Sequence, residues 1–253
     1  MINIYDGNNV MFREAMRPYM PGQQRMTLRM RFERAGPNDI WVWDGKDHNE
    51  RRQAIYPKYK TNRTPKPMDV SAQIQLWKKV LRHTASTQIE VYGWEADDCI
   101  GTLVRKLGGR TPVTVHTNDQ DYGQVAHLCK LNGVDLKGVP PEWVCLYKAM
   151  RGDSSDAIDG IPGFGPKRWT EVEPHWPAIR DAIVAGDPAA FDGIPFKPAV
   201  RAWLAVQENV DQLQAMFIVT HFENVPDDEL EGGMIQGVPN LTKGHEILTE
   251  FFL

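Results

Sequence analysis

The chain has 253 residues, 42% of them hydrophobic, and a formal net charge of −4 at pH 7. This length and hydrophobic content suffice for a substantial buried core, which excludes a disordered chain and a fibre. The three cysteines have no paired ligand spacing, so neither a disulfide framework nor a zinc site is predicted. We expect one α/β domain with a smaller helical appendage.

Three short apolar segments predict buried parallel strands. Residues 1–5, 40–43 and 113–117 are rich in apolar or β-branched side chains, and each is followed by an acid or an Asn-Asp turn. In an open α/β sheet, ligands gather beyond the carboxyl ends of the strands, so these acids should share one crevice. They are Asp6, Asp44, Asp119 and Asp121.

The segment 51–83 is strongly basic although the whole chain is acidic. Asp69 is its single acid, against nine Lys and Arg residues. Phosphate backbones bind such patches, and Tyr56 and Tyr59 interleave with the cations, which suits stacking or packing near an unpaired nucleotide. The alternative is a solvated basic face.

Two helices are predicted between residues 69 and 108. The first covers about 69–83, and its apolar side would either belong to a strap over the cleft or pack on the core. The second covers 95–108, with an apolar stripe along one side and three acids in its first turn. The helix dipole and capping also favour acids there, so a capping role is the alternative to metal binding. The three acids are Glu95, Asp97 and Asp98.

A glycine hairpin at residues 160–165 precedes Lys167 and Arg168. Glycine allows close approach of the backbone, so N–H groups and the two cations could meet a duplex phosphate there. The alternative is that the hairpin only connects two helices.

A helix predicted over 141–150 delivers Asp153 and Asp156 just after its end, in a turn from which both carboxylates can face one cation. Further helices are predicted over 199–206 and 209–220, with loops or a short strand and a last short helix near the end of the chain.

Carboxylates thus stand at strand ends or in short acidic turns along the chain. So many like charges in one cleft would repel one another and become protonated unless cations hold them. Hard oxygen ligands without nearby Cys or His favour Mg²⁺ or Mn²⁺. With a basic patch, this predicts two-metal phosphodiester hydrolysis on nucleic acid. The acids are Asp6, Asp44, Glu95, Asp97, Asp98, Asp119, Asp121, Asp153 and Asp156.

The order of these motifs resembles that of the 5′ nuclease (flap endonuclease) superfamily, from Met1 to about Trp169. In its compact form the pattern is similar to bacteriophage 5′–3′ exonucleases and to the 5′-nuclease domain of bacterial DNA polymerase I. The motifs that carry the resemblance are Asp6-Gly7, Asp44-Gly45, Tyr59-Lys60-x-x-Arg63, Glu95-Ala96-Asp97-Asp98, Asn118-Asp119-Gln120-Asp121 and Gly152-Asp153-Ser154-Ser155-Asp156.

The resemblance implies a mainly parallel central sheet flanked by helices, a PIN-like core, with a helix-hairpin-helix subdomain. We expect the core over 1–150, including a basic strap at about 51–94, and the DNA-binding subdomain with C-terminal helices over 151–253. Two Mg²⁺ or Mn²⁺ ions are implied. The first would be held by Asp6, Asp44, Glu95 and Asp97 with Asp98 and Asp119, and the second would lie toward Asp121, Asp153 and Asp156.

The resemblance also assigns roles outside the metal ligands. Lys60 and Arg63 would contact the phosphate's oxygens, and Tyr59 would position the terminal nucleotide. Relatives often bind K⁺ at the hairpin, and here that site is an inference from Gly163 and Gly165. The chain departs from the family's usual Asn and Pro at Ala157 and Asp159, and from a small residue at Arg168. The expected DNA contacts are Arg52, Lys58, Lys66, Gly163, Gly165, Lys167 and Arg168.

The predicted function is a metal-dependent 5′–3′ exonuclease or structure-specific flap endonuclease in replication or DNA degradation. Its partners would be DNA with a 5′ end, flap or duplex junction, and RNA–DNA hybrids are a further candidate. A small metal-dependent PIN-like RNase and a DNA-structure-binding protein without catalysis are the alternatives. We expect a stand-alone monomer without a membrane span or a signal peptide, in the cytoplasm, or in the host cytoplasm if the chain comes from a phage.

Overall fold

The structure is a computed structural model that describes residues 1–20, 22–65 and 67–252. Within this part of the chain, a six-stranded sheet has the strand order β5-β4-β1-β2-β3-β6. Neighbouring strands pair in parallel, except that β6 runs antiparallel to β3. The mainly parallel sheet is therefore confirmed. The strands are β1 (Ile2–Asp6), β2 (Asp39–Trp43), β3 (Thr87–Glu90), β4 (Val113–His116), β5 (Lys130–Asn132) and β6 (Met234–Gln236).

Helices flank this sheet and make up most of the remaining structure. Short 3-10 helices cover Gln120–Val125, Pro141–Trp143, Glu173–His175 and Pro188–Phe191. The α-helices are α1 (Gly7–Ala15), α2 (Gln23–Arg34), α3 (Glu50–Ile55), α4 (Met68–Leu81), α5 (Ala96–Leu107), α6 (Val144–Arg151), α7 (Pro166–Glu171), α8 (Trp176–Ala185), α9 (Pro198–Leu204), α10 (Gln207–Val219), α11 (Asp227–Gly232) and α12 (Leu241–Phe251).

The predicted strands and the helices over 69–83 and 95–108 are confirmed as β1, β2, β4, α4 and α5. Two strands of the sheet were not predicted. The strand β3 has the sequence TQIE and β5 has KLN, and neither carries a long apolar run. Each is recognisable only through pairing with a neighbour, β2 and β4 respectively.

The chain forms two compact units. Unit 1 comprises 1–48, 65–135 and 223–253, and unit 2 comprises 49–64 and 136–222. These boundaries differ from the expected division at residue 150, because the chain returns to the first unit after residue 222.

The expected strap at about 51–94 is divided between the two units. The helix α4 and the strand β3 lie within it, yet both belong to unit 1, and only 49–64 is grouped with unit 2. The reason is the apolar face of α4, where Val70, Ile74 and Trp77 are buried in the core. Packing on the core was the alternative for this helix, and the structure confirms it.

Each unit has its own hydrophobic core. In unit 1, side chains of α1, α2, α4 and α12 pack on one face of the sheet around Trp41 and Trp43. In unit 2, the core collects residues from α6 to α10 around Trp169 and Trp176, whose rings stack 4.1 Å apart. Among residues 1–20, 22–65 and 67–252, no helix is both long and apolar enough to cross a membrane.

The close approach of α12 to α2 gives a test of this packing. A Cβ added at Gly244 in α12 would lie 2.0 Å from the Phe32 ring, which is fully buried. We expect Gly244→Ala to lower the free energy of unfolding by about 1–3 kcal/mol through overpacking. Helix propensity alone would favour Ala by about 1 kcal/mol, which is the opposite sign.

Urea unfolding provides the measurement, and Gly232→Ala is the matched control. A Cβ at Gly232 meets no described atom within 4 Å, so its stability should be unchanged or higher. A Gly244→Ala protein as stable as the unmodified chain would contradict this account of the α12 contact.

Candidate active site

Asp6 and Asp44 lie at the carboxyl ends of the paired strands β1 and β2. One carboxylate oxygen of Asp6 accepts the Asn9 N–H at 3.2 Å and caps α1, and the other accepts the Thr117 hydroxyl at 3.0 Å. Asp44 accepts the backbone N–H of Ala96 at 3.1 Å, which ties β2 to the first turn of α5. Both acids therefore have structural roles in local hydrogen bonds, and both also lie at the strand ends where the crevice was predicted.

Gly45 lies in the turn after β2, where the backbone passes close to the residues that precede α5. Its N–H donates to the Trp94 carbonyl at 3.0 Å, and a Cβ at this position would lie 1.7 Å from the Val91 carbonyl oxygen. Only a residue without a side chain fits between these backbones. The Asp-Gly pair thereby brings Asp44 beside the start of α5.

The first turn of α5 supplies three more carboxylates. Glu95, Asp97 and Asp98 each offer an oxygen within 4.8 Å of the others. Glu95 and Asp98 are 1% and 2% exposed, so this charge is held away from solvent. Asp98 accepts the N–H of Glu223 at 2.8 Å, which fixes its orientation.

Mutual repulsion shows that these acids share one electrostatic environment. Burial, and then the charges of Asp44 and Asp119, raises the pKa of Asp6 to about 7. Burial likewise raises the pKa of Tyr122 well above its ordinary value, with further contributions from Asp6, Asp97, Asp119 and Asp44. The structure therefore brings together six predicted ligands, which are Asp6, Asp44, Glu95, Asp97, Asp98 and Asp119.

This donor set fits a divalent cation. It consists of carboxylate oxygens, the hard ligands that Mg²⁺ and Mn²⁺ prefer. The raised pKa of Asp6 shows that the cluster is crowded with like charge, and a bound cation would relieve the repulsion. Asp121 is buried nearby along the chain, in the 3-10 helix after β4, and its N–H donates to Asp119 at 3.0 Å.

Asp153 and Asp156 form a second cluster, inside unit 2, with basic side chains. Lys148 lies 2.6 Å from Asp153 and 3.5 Å from Asp156, and Arg63 lies 2.7 Å from Asp156. Burial alone would raise the pKa of Asp153, but the charge of Lys148 and hydrogen bonds from Lys148 and Ser155 more than offset burial and lower that pKa to about 2. The Lys60 N–H donates to the Asp156 carbonyl at 2.8 Å.

Sequence reasoning missed Lys148. It lies on α6, five positions before Asp153, and a lysine on a helix is ordinarily a solvated residue, so no pattern singled it out. Only the turn after α6 brings its ammonium back to the two acids.

Comparison with known proteins places this arrangement in a family. The family described as 5′–3′ exonuclease, N-terminal resolvase-like domain, matches residues 20–143. The chain is 32% identical over 155 residues to a 5′–3′ exonuclease of Mycoplasma pneumoniae, covering 54% of this chain and 53% of that protein. It is 32% identical over 157 residues to a thermostable DNA polymerase I of Thermus filiformis, covering 57% of this chain and 19% of that protein.

Residues 20–143 of the chain belong to the 5′ nuclease superfamily. The chain's match spans about half of the Mycoplasma exonuclease and less than a quarter of the Thermus polymerase. A structure of bacteriophage T5 5′-exonuclease with bound zinc covers 100% of this chain and 99% of its own, with a TM-score of 0.58 and 18% identity. A T5 flap endonuclease complex with DNA and metal ions covers 98% of this chain and 99% of its own, also with a TM-score of 0.58 and 18% identity. These likenesses support the PIN-like α/β fold.

Two residues expected to contact DNA or substrate are buried. Arg52 is 3% exposed and donates to the His221 carbonyl at 3.0 Å, so as a surface DNA contact the prediction is wrong. Tyr59 is 3% exposed and lies in the core of unit 2. The Lys60 ammonium lies 4.8 Å from the Tyr59 ring centroid, so Tyr59 supports a cation and does not offer an open stacking surface.

Asp159, one of the departures from the family pattern, has a partner among the expected DNA contacts. The Lys58 ammonium lies 2.6 Å from its carboxylate, and the Tyr56 hydroxyl donates to the same oxygen at 3.1 Å. Hydrogen bonding to Lys58 is the largest cause that lowers the pKa of Asp159. Lys66, another expected contact, lies outside the described residues.

The glycine hairpin forms as predicted between α6 and α7. Gly163 is exposed with a φ of +73°, a conformation that glycine adopts without strain, and Gly165 precedes α7. Lys167 is exposed, whereas Arg168 lies 2.7 Å from Glu171. Ala157 has a φ of +56°, where the family usually has Asn, a residue that tolerates this conformation better.

The raised pKa of Asp6 predicts a stability change in metal-free protein. The unfolded-state pKa is 3.8 and the folded-state value is about 7, so the folded state retains a proton that the unfolded state has lost between these values. This contribution to stability is present below pH 4 and is lost as pH rises to 7. The loss is at most about 4 kcal/mol.

We expect unfolding experiments in EDTA to show this loss in the unmodified chain and not in Asp6→Asn, so the stability difference between the two should grow from pH 4 to pH 7. Asp181→Asn, at an exposed acid, keeps Asp6 and should lose stability between pH 4 and pH 7 as the unmodified chain does. A pH-independent difference between Asp6→Asn and the unmodified protein would refute the repulsion inferred here.

Proposed function

We propose that this chain is a divalent-metal-dependent 5′ nuclease that hydrolyses DNA phosphodiester bonds. The proposal rests on the cluster of carboxylates at the carboxyl ends of β1 and β2 and at the start of α5. Within this cluster, burial and the neighbouring acids raise the pKa of Asp6 to about 7. Family membership supports the reaction, and the exonucleases among the relatives support the 5′–3′ polarity.

The acids of unit 1 would hold the catalytic cation, and Asp153 and Asp156 in unit 2 are retained as candidate ligands for a second one. Divalent cations bound there, Mg²⁺ or Mn²⁺, would lower the pKa of a water molecule and stabilise the departing oxygen. The N–H of Ala96 and the hydroxyl of Thr117 would keep Asp44 and Asp6 oriented toward the cation.

Lys60 and Arg63 are proposed to bind the oxygens of a substrate phosphate. Arg63 is 48% exposed at its side chain, and its guanidinium has five N–H donors, so it can contact Asp156 and a phosphate together. Lys60 is held over the Tyr59 ring, and we assign Tyr59 the role of positioning that ammonium. The bond between Arg63 and Asp156 would keep the arginine side chain ordered before substrate binds.

The hairpin is proposed as the duplex contact. Exposed Lys167 follows the exposed backbone at Gly163, which suits binding of a phosphate or of a K⁺ ion by the turn. The expected substrates are DNA with a 5′ end, a flap or a duplex junction, and an RNA–DNA hybrid is a further substrate to test. The T5 flap endonuclease complex with DNA and metal ions supports a DNA substrate. We propose that a monomer acts inside the cell, where DNA is replicated or degraded.

Cleavage of end-labelled substrates tests this function. We expect 5′-labelled and 3′-labelled duplex, flap and hybrid substrates to be cut from the 5′ side in Mg²⁺ and not in EDTA. Asp97→Asn should reduce the single-turnover rate by about 100-fold or more, because it removes a ligand charge. Asp181→Asn, at an exposed acid of α8, should cut normally.

The other outcomes identify the alternatives. Cleavage confined to RNA would indicate the PIN-like RNase, and tight DNA binding without cleavage in any divalent metal would indicate a structure-binding protein. Either result would overturn the proposed function.

Lys167 gives a separate prediction for DNA binding. We expect Lys167→Ala to weaken duplex binding and to reduce the slope of log affinity against log salt by about 1, because one phosphate contact is lost. The cleavage rate at saturating DNA should stay within a factor of about two of the unmodified rate. The control is Lys130→Ala, at an exposed lysine of β5, and equal salt slopes for all three proteins would remove Lys167 from the interface.

A further inference from the structure

Strand pairing does not by itself fix the position of Asp119 relative to Asp6. The described pairing between β1 and β4 ends with Tyr5 and His116. Asp6 comes directly after the first of these residues, and Asp119 follows the second in the turn beyond β4. Both acids are proposed ligands of one cation, so contacts beyond the strand ends must set the distance between their carboxylates.

Two asparagine side chains connect the turns that carry these acids. The Asn9 amide group donates to the Asn118 side-chain oxygen at 2.7 Å. The Asn9 side-chain oxygen accepts the Asn118 backbone N–H at 3.3 Å. One asparagine in the first turns of α1 therefore binds both the side chain and the backbone of a residue just after β4. We call this pair the asparagine bridge.

The asparagine bridge closes a ring of hydrogen bonds around Asp6. The Asn9 backbone N–H donates to one Asp6 oxygen at 3.2 Å, and the Thr117 hydroxyl donates to the other at 3.0 Å. The same Thr117 oxygen accepts the Asp119 N–H at 3.2 Å. Asn118 lies between Thr117 and Asp119 in the chain, so the bridge restrains the turn that makes both bonds. Asp6 and Asp119 are thereby held in one frame.

The first turn of α1 is itself anchored on β2. A Cβ at Gly7 would lie 2.5 Å from the Trp43 ring, which is 1% exposed, so this turn packs directly against the strand. The Asn8 amide group donates to the Asp44 carboxylate. A carboxylate oxygen has more than one acceptor position, so this bond is compatible with a bound cation. Asn9 thus extends toward the turn after β4 from a backbone that is fixed against β2.

A fixed distance between ligands discriminates among cations by size. Mg²⁺ takes oxygen ligands at about 2.0–2.1 Å in near-ideal octahedral geometry, whereas Ca²⁺ takes them at about 2.3–2.6 Å in more variable geometry. A restrained set of carboxylates therefore favours the smaller ion. In a loosened site, repulsion between the like charges of Asp6 and Asp119 would spread the ligands and admit the larger ion.

We propose that Asn9 and Asn118 are positioning residues for the metal ligands of unit 1, and that the asparagine bridge gives this site a preference for Mg²⁺ over Ca²⁺. Neither asparagine is assigned a contact with the cation. The inference deepens the proposed function and rests on it for the role of the cation in catalysis. Cation binding by the DNA-free protein is a separate property that can be measured without cleavage.

Metal titrations of the DNA-free protein test the bridge. We would remove bound metal with a chelator, titrate Mn²⁺, which takes the same oxygen ligands, and follow free Mn²⁺ by electron paramagnetic resonance. Competition by Mg²⁺ and by Ca²⁺ then gives the affinity for each of these ions. Asp97→Asn removes a carboxylate of the unit 1 cluster, so the Mn²⁺ binding that it weakens is assigned to that site.

We expect Asn9→Ala to weaken Mg²⁺ binding by about tenfold, as loss of an outer partner of a metal ligand does, and Ca²⁺ binding by less than about threefold. Asn118→Ala should change the ratio of the two affinities in the same direction but less, because its backbone N–H can still donate to Asn9. Adding Asn118→Ala to Asn9→Ala should change nothing further, because Asn9 makes both bonds of the bridge.

Asn240→Ala is the matched control, because it removes an asparagine that has a structural role alone. The Asn240 side-chain oxygen accepts the Lys243 N–H at 3.0 Å and caps α12. We expect this substitution to lower stability in urea and to leave the ratio of Mg²⁺ to Ca²⁺ affinity unchanged. Asn9→Ala keeps a residue that favours a helix, so its effect on the ratio should not depend on unfolding of α1.

Equal weakening of Mg²⁺ and Ca²⁺ binding in Asn9→Ala, or no weakening of either, would overturn the proposal. Mn²⁺ binding that Asp97→Asn leaves unchanged would overturn it as well, because the cation would then lie elsewhere. The two proposals fail separately. If DNA is cut in Mg²⁺ and Asn9→Ala keeps the unmodified ratio, the bridge has no such role and the nuclease stands. If the ratio falls but no substrate is cut, the bridge stands and the nuclease is wrong.

Discussion

Repulsion between carboxylates is the constraint on which the site in unit 1 depends. The ends of β1 and β2 and the start of α5 place acids close enough that burial and like charge raise the pKa of Asp6 to about 7. Folding tolerates this cost because the same acids make local bonds, as when Asp6 caps α1 and Asp44 accepts the Ala96 N–H. A divalent cation then has a ready set of hard oxygen ligands.

The acids of unit 2 differ from those of unit 1 because basic side chains are paired with them. Asp153 and Asp156 are partnered by Lys148 and Arg63, and the pKa of Asp153 falls to about 2 where that of Asp6 rises. The two groups share a residue type and differ in their neighbours. The pKa values of the same side-chain type are therefore shifted in opposite directions, because Asp153 has a basic neighbour and Asp6 has acidic neighbours.

Positive charge is divided in a similar way among several locations. The sequence suggested one basic patch over residues 51–83, but the cations of this segment have different partners in the structure. Arg52 is buried and donates a hydrogen bond to the His221 carbonyl. Lys58 is paired with Asp159, and the Lys78 ammonium lies 2.8 Å from the Glu90 carboxylate. Local charge density in the sequence is thus a poor guide to which cations remain available to a phosphate.

The sequence by itself determined the features that depend on neighbours in the chain. The strands β1, β2 and β4 follow from apolar runs, and α5 from its helical period. The acids at the ends of these elements follow from their positions one or two residues further on, so their convergence could be predicted from the rule for parallel sheets. The family motifs have the same local character.

Tertiary structure decided what depends on distant partners. The strands β3 and β5 exist through pairing with β2 and β4, and α4 is core because its apolar face meets α1 and the sheet. Lys148 reaches Asp153 only through the turn after α6. Burial and ion pairing are properties of the packed chain, because each depends on residues far apart in sequence that folding brings into contact.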